Sequence, residues 1–160
     1  MMRDPRHKEL TYGTCVALGP HAALLRGASG SGKSDLALRF LALSGEYTQK
    51  ARLVADDQVL LQATDRGVMA SSPEALAGLI EVRGLGIQPA PSIPSARLVL
   101  VCDLVEAADV PRMPPDPFDR TALVGADIPS LSLAPFEAST PLKLRMAILN
   151  ATALLRAVEQ

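Results

Sequence analysis

A glycine-rich octapeptide near the N-terminus carries the residues of this chain best suited to chemistry. Its residues are Gly27, Ala28, Ser29, Gly30, Ser31, Gly32, Lys33 and Ser34, which match the pattern G-x-x-x-x-G-K-[ST]. Glycines permit backbone torsions that let successive N–H groups turn towards an anion. A lysine at this position supplies a charge for the β- and γ-phosphates, and the next hydroxyl can join the coordination of Mg²⁺. The octapeptide therefore predicts a binding site for a nucleoside triphosphate.

The segments around the octapeptide have the patterns that such a loop needs. Residues 22–25 form a short apolar run that predicts a buried strand. Residues 35–43 form an amphipathic helical run that stops at Gly45. The loop then ends at a helix N-terminus, where negative charge is favoured. An incidental Gly/Ser-rich turn is the alternative, and these flanks argue against it.

Candidate carboxylates follow two apolar runs. Phosphoryl transfer needs a held metal, an oriented attacking oxygen and cations around the spreading charge. Asp56 and Asp57 follow the run 53–55, and on an extended segment their side chains point to opposite faces, so that only one addresses the phosphates. Asp103 is a rival for Mg²⁺, because it follows the run 98–102 as a Walker B aspartate does. Spacing alone does not decide between them, and a solvated strand end is the alternative for the adjacent pair.

Further charged residues are candidates for a cleft. Glu81 and Arg83 flank one apolar residue on a predicted strand, which places both side chains on the same side. An exposed ion pair is the alternative for these two. Arg120 follows a proline-rich loop at 109–116, and long loops in compact domains are usually functional. Arg120 is therefore either a mobile charge clamp or an ordinary surface arginine.

Composition narrows the class of protein. The chain has 160 residues, a net charge of −1 and two cysteines, Cys15 and Cys102. This length suits a single domain with its own core. The balanced charge argues against a nucleic-acid partner, and the charged N-terminus predicts neither a signal peptide nor a membrane span. Because the cysteines lie in separate apolar segments, we expect buried thiols in a soluble, cytoplasmic protein.

Apolar runs and turn residues predict a mixed α/β domain. A hairpin is expected around Gly19 and Pro20, and residues 98–102 should form a central strand. A short helix is predicted from Ser72, and a longer one closes the chain from Ser139. The other predicted strands lie at 53–55, at 59–61 and at the start of 80–87, which then continues as a glycine-punctuated loop.

Four segments together resemble the catalytic domain of the HPr kinase/phosphorylase family, which phosphorylates a serine of the phosphocarrier protein HPr. They are residues 27–35, 53–57, 81–87 and 118–120. The third reads Glu-Val-Arg-Gly-Leu-Gly-Ile against the family's Glu-Ile-Arg-Gly-Leu-Gly-Ile. The resemblance implies one P-loop domain over residues 1–160, of the HPr kinase / PEP carboxykinase-like type, with a mixed β-sheet and flanking helices. Longer members carry an additional N-terminal domain, and this short form is similar to that of alphaproteobacteria.

The resemblance also implies a role for each matching residue. Lys33 would contact the phosphates, and Ser34 and Glu81 would contact Mg²⁺. Asp57 would act as acid/base, taking the serine proton during phosphorylation and returning one during dephosphorylation. Arg120 would stabilise charge in the transition state. This assignment favours Asp57 for catalysis and leaves a supporting place for the rival aspartate of the run 98–102.

The chain departs from the family pattern in two places. Counting back from Lys33 without gaps places Tyr12 where the family has a catalytic histidine, and a tyrosine cannot be a cation near neutral pH. Residues 131–137 contain no arginine, whereas longer members have an arginine-bearing loop there that is linked to phosphorolysis. The resemblance therefore supports kinase activity more strongly than phosphorylase activity.

The predicted function is phosphorylation of a serine on HPr in the cytosol, with ATP and Mg²⁺. The resemblance also implies a hexamer. Two alternatives stay open. One is a non-catalytic, ATP-binding regulator in which Tyr12 marks lost catalysis. The other is a small-molecule kinase that uses the proline-rich loop as a lid over a metabolite.

Overall fold

The computed structural model describes residues 7–45, 49–116 and 118–159, so the charged N-terminal residues 1–6 lie outside the described part of the chain. Within these ranges the chain forms strands and two α-helices. The strands are β1 (Glu9–Tyr12), β2 (Thr14–Leu18), β3 (His21–Arg26), β4 (Ala51–Ala55), β5 (Gln58–Thr64), β6 (Gly67–Ser71), β7 (Leu79–Val82), β8 (Gly86–Pro89), β9 (Ser95–Leu104), β10 (Asp119–Leu123) and β11 (Ala126–Leu133). The helices are α1 (Lys33–Leu41) and α2 (Thr140–Glu159).

One mixed sheet organises the domain around β9. The strand order is β1-β5-β6-β9-β3-β2-β4, and the β10–β11 hairpin joins β9 separately. β9 runs parallel to β3 along one edge. Its other edge is shared, because residues 95–97 pair with antiparallel β6 and residues 101–104 pair with parallel β11. The hairpin β7–β8 forms a small sheet of its own.

The two faces of the large sheet carry separate apolar clusters. Successive residues of a strand point to opposite faces. Leu25 therefore packs with Leu36 and Phe40 of α1, in a cluster that also contains α2 residues. Leu24 packs on the opposite face with Leu61, in a cluster formed by strands and loops. Both helices thus cover one face, which fixes the loop before α1 at the end of β3.

The main sequence predictions agree with this architecture. β2 and β3 form the expected hairpin, with Leu18 paired to His21. The run 98–102 lies in the centre of the sheet, and the closing helix begins at Thr140. Cys15 and Cys102 are both buried, and burial raises the pKa of each thiol well above its ordinary range. Neither α-helix of the described residues is long and apolar enough to cross a membrane.

Two local predictions were wrong. The helix expected from Ser72 is a single 3-10 turn, Glu74–Leu76, because Ala77 is extended and Gly78 has a φ of 76°. In the segment 80–87 the predicted strand is part of β7 and residues 83–85 form a turn, but from Gly86 the chain pairs with β7 as β8 instead of continuing as a loop. Arg83 consequently lies in the turn between these strands, so it does not share a strand face with Glu81.

Candidate active site

The predicted strand, loop and helix occur in the predicted order. β3 ends at Arg26, residues 27–32 form the loop, and α1 begins at Lys33. Gly30 and Gly32 have φ values of 81° and 95°, in the left-handed region that favours glycine. The loop therefore has the backbone conformation that only its glycines adopt readily, and it feeds directly into the positive end of a helix.

The interior of the loop contains an unsatisfied hydroxyl. Ser31 Oγ is buried and has no hydrogen-bond partner among the described residues. It lies 2.4 Å from the position that a Cβ on Gly27 would take, so only glycine fits there. Buried polar groups are normally hydrogen-bonded. A free hydroxyl donor within a glycine-rich loop is consistent with an anion-binding site, because a bound anion would accept its hydrogen bond.

The cationic group at the loop is Lys33. Its Nζ donates hydrogen bonds to the carbonyl oxygens of Gly27 and Ala28, at 2.7 and 3.0 Å. The ammonium thus lies beside the first residues of the loop. The same loop is closed by a turn in which Ser31 N donates to Ala28 O at 3.0 Å.

Asp56 is the carboxylate that the fold brings to the loop. Ser34 Oγ and Thr14 Oγ1 each donate to its Oδ1 at 2.9 Å. The backbone N–H of Glu81 donates to its Oδ2, also at 2.9 Å. Asp56 is only 7% exposed, and it joins α1, β2 and β7 through one side chain. Sequence reasoning identified the pair 56–57 but did not select Asp56, although its place directly after a buried strand was a usable signal.

Asp57 is exposed and has an unusual backbone conformation. Its φ is 68°, and Gln58 N donates to Asp56 O at 2.8 Å across it, so the chain makes a three-residue turn. The expectation of an extended pair with opposite side chains was therefore wrong. Backbone strain of this kind is concentrated at functional sites, where the surrounding structure maintains it.

Tyr12 lies beside this turn. It pairs with Gln58 across β1 and β5, and the next amide, Gly13 N, donates to Asp57 O at 3.0 Å. Tyr12 is 69% exposed. The fold thus brings Tyr12 and Asp57, which are far apart in sequence, to adjoining backbone positions.

Glu81 and Arg120 occupy more peripheral positions. Glu81 contacts Asp56 through its backbone, and its side chain is exposed. Arg120 is exposed on β10, where its Nη1 donates to Asp127 O at 3.4 Å. The structure therefore places Glu81 next to the Asp56 carboxylate, whereas the carbonyl group to which Arg120 donates belongs to its own hairpin.

The carboxylate of Asp103 forms an ion pair with Arg26. Arg26 Nε donates to Asp103 Oδ1 at 2.9 Å, and Arg26 Nη2 donates to Oδ2 at 3.2 Å. This is a bidentate pair, the strong geometry for an arginine and a carboxylate. Because Asp103 is paired with Arg26 while Asp56 is bonded to Ser34, the geometry favours Asp56 over Asp103 as the carboxylate near a metal.

Comparisons with known proteins identify the family of this chain. Residues 6–100 match the family model described as HPr Serine kinase C-terminal domain. HPr kinase/phosphorylase of Clostridium tetani is 38% identical over 82 residues, which are 51% of this chain and 25% of that protein. The corresponding protein of a Geobacillus species is 40% identical over 77 residues, covering 48% of this chain and 23% of that protein. The chain thus spans about a quarter of the length of the curated relatives it matches.

A solved structure shows the same fold. The Hpr(Ser) kinase/phosphatase from Coxiella burnetii superposes with a TM-score of 0.78 at 18% identity, over 94% of each chain. That likeness establishes the architecture, and the family model matches well over half of the sequence. The chain therefore belongs to the HPr serine kinase C-terminal domain family.

Proposed function

We propose that this chain is the catalytic domain of a kinase that uses ATP and Mg²⁺ to phosphorylate a serine of an HPr-type phosphocarrier. The observation that carries the proposal is the hydrogen bond from Ser34 to Asp56 at the end of a glycine cradle. This hydrogen bond places the Ser34 hydroxyl, which is expected to bind Mg²⁺, next to a carboxylate. Hydroxyl and carboxylate oxygens are ligands that Mg²⁺ prefers. The proposal includes residues 1–160 as one domain, a cytosolic location, which rests on the composition of the chain, and a hexamer, which rests on the resemblance.

The cradle has the chemistry to hold a magnesium–nucleotide complex. The unpartnered Ser31 hydroxyl and the backbone N–H groups of the loop supply donors for phosphate oxygens. Lys33 supplies the cation, while Ser34, Asp56 and Glu81 supply oxygens for the metal. Bound Mg²⁺ neutralises charge on the phosphates. Magnesium sites of this kind use one or two carboxylates together with phosphates and water.

The reaction then requires a base for the acceptor hydroxyl. We assign this role to Asp57, whose carboxylate is exposed at a strained turn next to Asp56. The serine oxygen forms a bond to the γ-phosphorus while the bond to ADP breaks, and the serine proton passes to Asp57. Tyr12 precedes Gly13, whose amide donates to Asp57 O, and this supports a role for the Tyr12 hydroxyl as a donor in this region. Arg120 is assigned to the developing charge on the resemblance, and its neighbour Thr121 accepts a hydrogen bond at 3.4 Å from Arg26, the residue before the loop.

The test is transfer of phosphate to a purified HPr in the presence of ATP and Mg²⁺, measured as phosphoserine by mass spectrometry. Asp57→Asn should abolish transfer while ATP binding is retained. Asp65→Asn is a matched control, since Asp65 is an exposed aspartate in the turn between β5 and β6. Wild-type protein that binds ATP but yields no phosphoserine at high concentration would exclude the kinase and favour the regulatory alternative.

A metabolite kinase is distinguished in the same experiment. A panel of small hydroxyl compounds replaces HPr, and HPr is then added as a competitor. HPr and a metabolite would compete for the same catalytic base, so HPr should inhibit phosphorylation of the metabolite if HPr is the true acceptor. Phosphorylation of a metabolite that continues unchanged when HPr is added would therefore contradict the proposal.

A further inference from the structure

We propose that Phe136 is the stacking platform for the base of the bound nucleotide. This inference rests on the proposed function, because it concerns the same phosphate loop. Phe136 lies between β11 and α2, and this large apolar side chain is 69% exposed. An exposed aromatic ring by itself needs no explanation. The position of Phe136 against the phosphate loop, however, suggests a role in binding the nucleotide.

The ring edge of Phe136 lies on the last glycine of the loop. A Cβ built on Gly32 would be 2.9 Å from both Cε1 and Cζ of the ring, and 3.0 Å from Cβ of Pro135. Gly32 is therefore required both for its left-handed φ and for the approach of this side chain. Since Phe136 is still 69% exposed in this position, most of its side chain is accessible to a ligand beside the residue that precedes Lys33.

The backbone on each side of Phe136 is fixed to α1. Arg39 donates from Nη2 to Pro135 O and from Nη1 to Glu137 O, the second at 3.2 Å. The same guanidinium pairs with Asp35, one turn earlier on α1, at 3.0 Å. These contacts hold the segment 135–137 in place before any ligand binds. A ring that is already positioned loses little conformational entropy when a ligand stacks on it.

The direction of the nucleotide follows from the loop. Lys33 and Ser34 serve the terminal phosphates and the metal, so the nucleoside must extend beyond the α1 N-terminus. Phe136 is the large apolar side chain that the structure places at this point. Every base has a π-face, and stacking on an aromatic ring tolerates any base. We therefore expect the ring to add affinity for nucleotides generally, without selecting adenine.

The test compares binding of ATP and inorganic triphosphate, each with Mg²⁺, by calorimetry. Phe136→Ala should weaken ATP about tenfold and leave triphosphate unchanged, since one stacked base contributes about that much affinity. Phe136→Leu is the matched variant. It keeps an apolar side chain against Gly32 but has no aromatic face, so it should lose ATP affinity to a similar extent.

A fluorescent variant gives a second readout. The chain contains no tryptophan, so Phe136→Trp creates a single reporter whose emission a stacked base should quench. Triphosphate should leave the emission unchanged. Val158→Trp is the control, because Val158 is 76% exposed near the far end of α2, a helix about 30 Å long. Its emission should not respond to either ligand.

The outcomes separate the two proposals. Wild-type protein that binds neither ATP nor triphosphate overturns the proposed function, and the stacking role with it. If wild-type binds both, an unchanged ATP affinity in Phe136→Ala overturns the stacking role alone. Equal losses for ATP and triphosphate also overturn it, because they would show that the ring only supports the loop.

Discussion

At the scale of single residues, adjacent aspartates have opposite environments. Asp56 is buried under three hydrogen bonds, while Asp57 is exposed at a positive φ. The residue pattern predicted a functional pair here without assigning the two positions, and the resemblance assigned the acid/base role to Asp57. The rule for extended strands gives alternating faces, and it fails because the chain turns at Asp57 to bond with Gly13, a residue 44 positions away.

Stability should distinguish these two aspartates. In Asp56→Asn the amide cannot satisfy all three donors as a carboxylate does, so we expect a loss of about 2 kcal/mol in unfolding free energy. This corresponds to a melting temperature about 4–8 °C lower for a chain of this size. Asp57→Asn should change stability by less than about 0.5 kcal/mol, because asparagine tolerates the left-handed region. Thermal denaturation followed by circular dichroism measures both, and a reversed order would contradict the structure.

The metal requirement should follow Asp56 and not Asp103. Asp56→Asn should raise the Mg²⁺ concentration needed for nucleotide binding by about tenfold or more, the usual effect of changing a group at or next to a metal. Asp103→Asn should leave that concentration nearly unchanged, since its carboxylate is paired with Arg26. The measurement is ATP binding as a function of Mg²⁺. A larger effect at Asp103 would restore the Walker B assignment.

At the scale of elements, prediction succeeded where burial leaves a pattern. The hairpin β2–β3 and the buried part of β9 are continuous apolar runs, and the two α-helices have apolar periodicity. β8 has none, because its residues are exposed or half-buried and Ile87 is 61% exposed. Its formation depends on backbone pairing with β7, which no local pattern records. The predicted placement of Arg83 on the same strand face as Glu81 was wrong because the sequence does not indicate where β7 ends and the turn to β8 begins.

Gly13, between β1 and β2, should tolerate a side chain poorly. A Cβ there would lie 2.6 Å from Leu25 O, which is backbone inside the sheet and cannot move alone. We expect Gly13→Ala to cost about 3 kcal/mol, at the upper end for overpacking. Gly84→Ala is the control, since a Cβ there meets nothing within 4 Å. It should cost only about 1 kcal/mol for its left-handed φ. Urea denaturation compares them, and equal losses would contradict the packing at Gly13.

At the scale of the whole molecule, the strand order was beyond prediction. The central position of β9 follows from its apolar sequence, but its neighbours are set by long-range pairing. Arg26, for example, aligns with Asp103 from 77 positions away. The contact between Phe136 and Gly32 is equally non-local. No local sequence pattern indicates either contact, so both could be found only in the three-dimensional structure.

The buried cysteines give the fold a predictable response to alkaline pH. The folded state raises the pKa of both thiols, whereas unfolded cysteines ionise near pH 8.5. The contribution of these two thiols to stability is therefore fully present below about pH 8.5 and falls above it, because the unfolded state releases protons that the folded state keeps. Cys15→Ala and Cys102→Ala should each reduce this slope in urea denaturation.

Thiol reactivity gives the control for that prediction. A chromogenic disulfide reagent should detect no thiol in the native protein and two after denaturation, since both side chains are fully buried. Rapid reaction of the native protein would contradict the burial of Cys15 and Cys102, and with it the expected loss of stability at high pH.

The segment between β9 and α2 forms the β10–β11 hairpin of the large sheet, and the two ends of this segment lie side by side. Val105 N donates to Leu133 O at 3.0 Å, where β9 ends and β11 also ends. The family match stops at residue 100, shortly before this segment. A chimaera of two relatives joined at these points would exchange Arg120 together with its whole hairpin, while the cradle, Asp56 and the ring at position 136 would come from the recipient. Because the exchanged segment begins and ends at neighbouring backbone positions, we expect the chimaera to retain nucleotide binding.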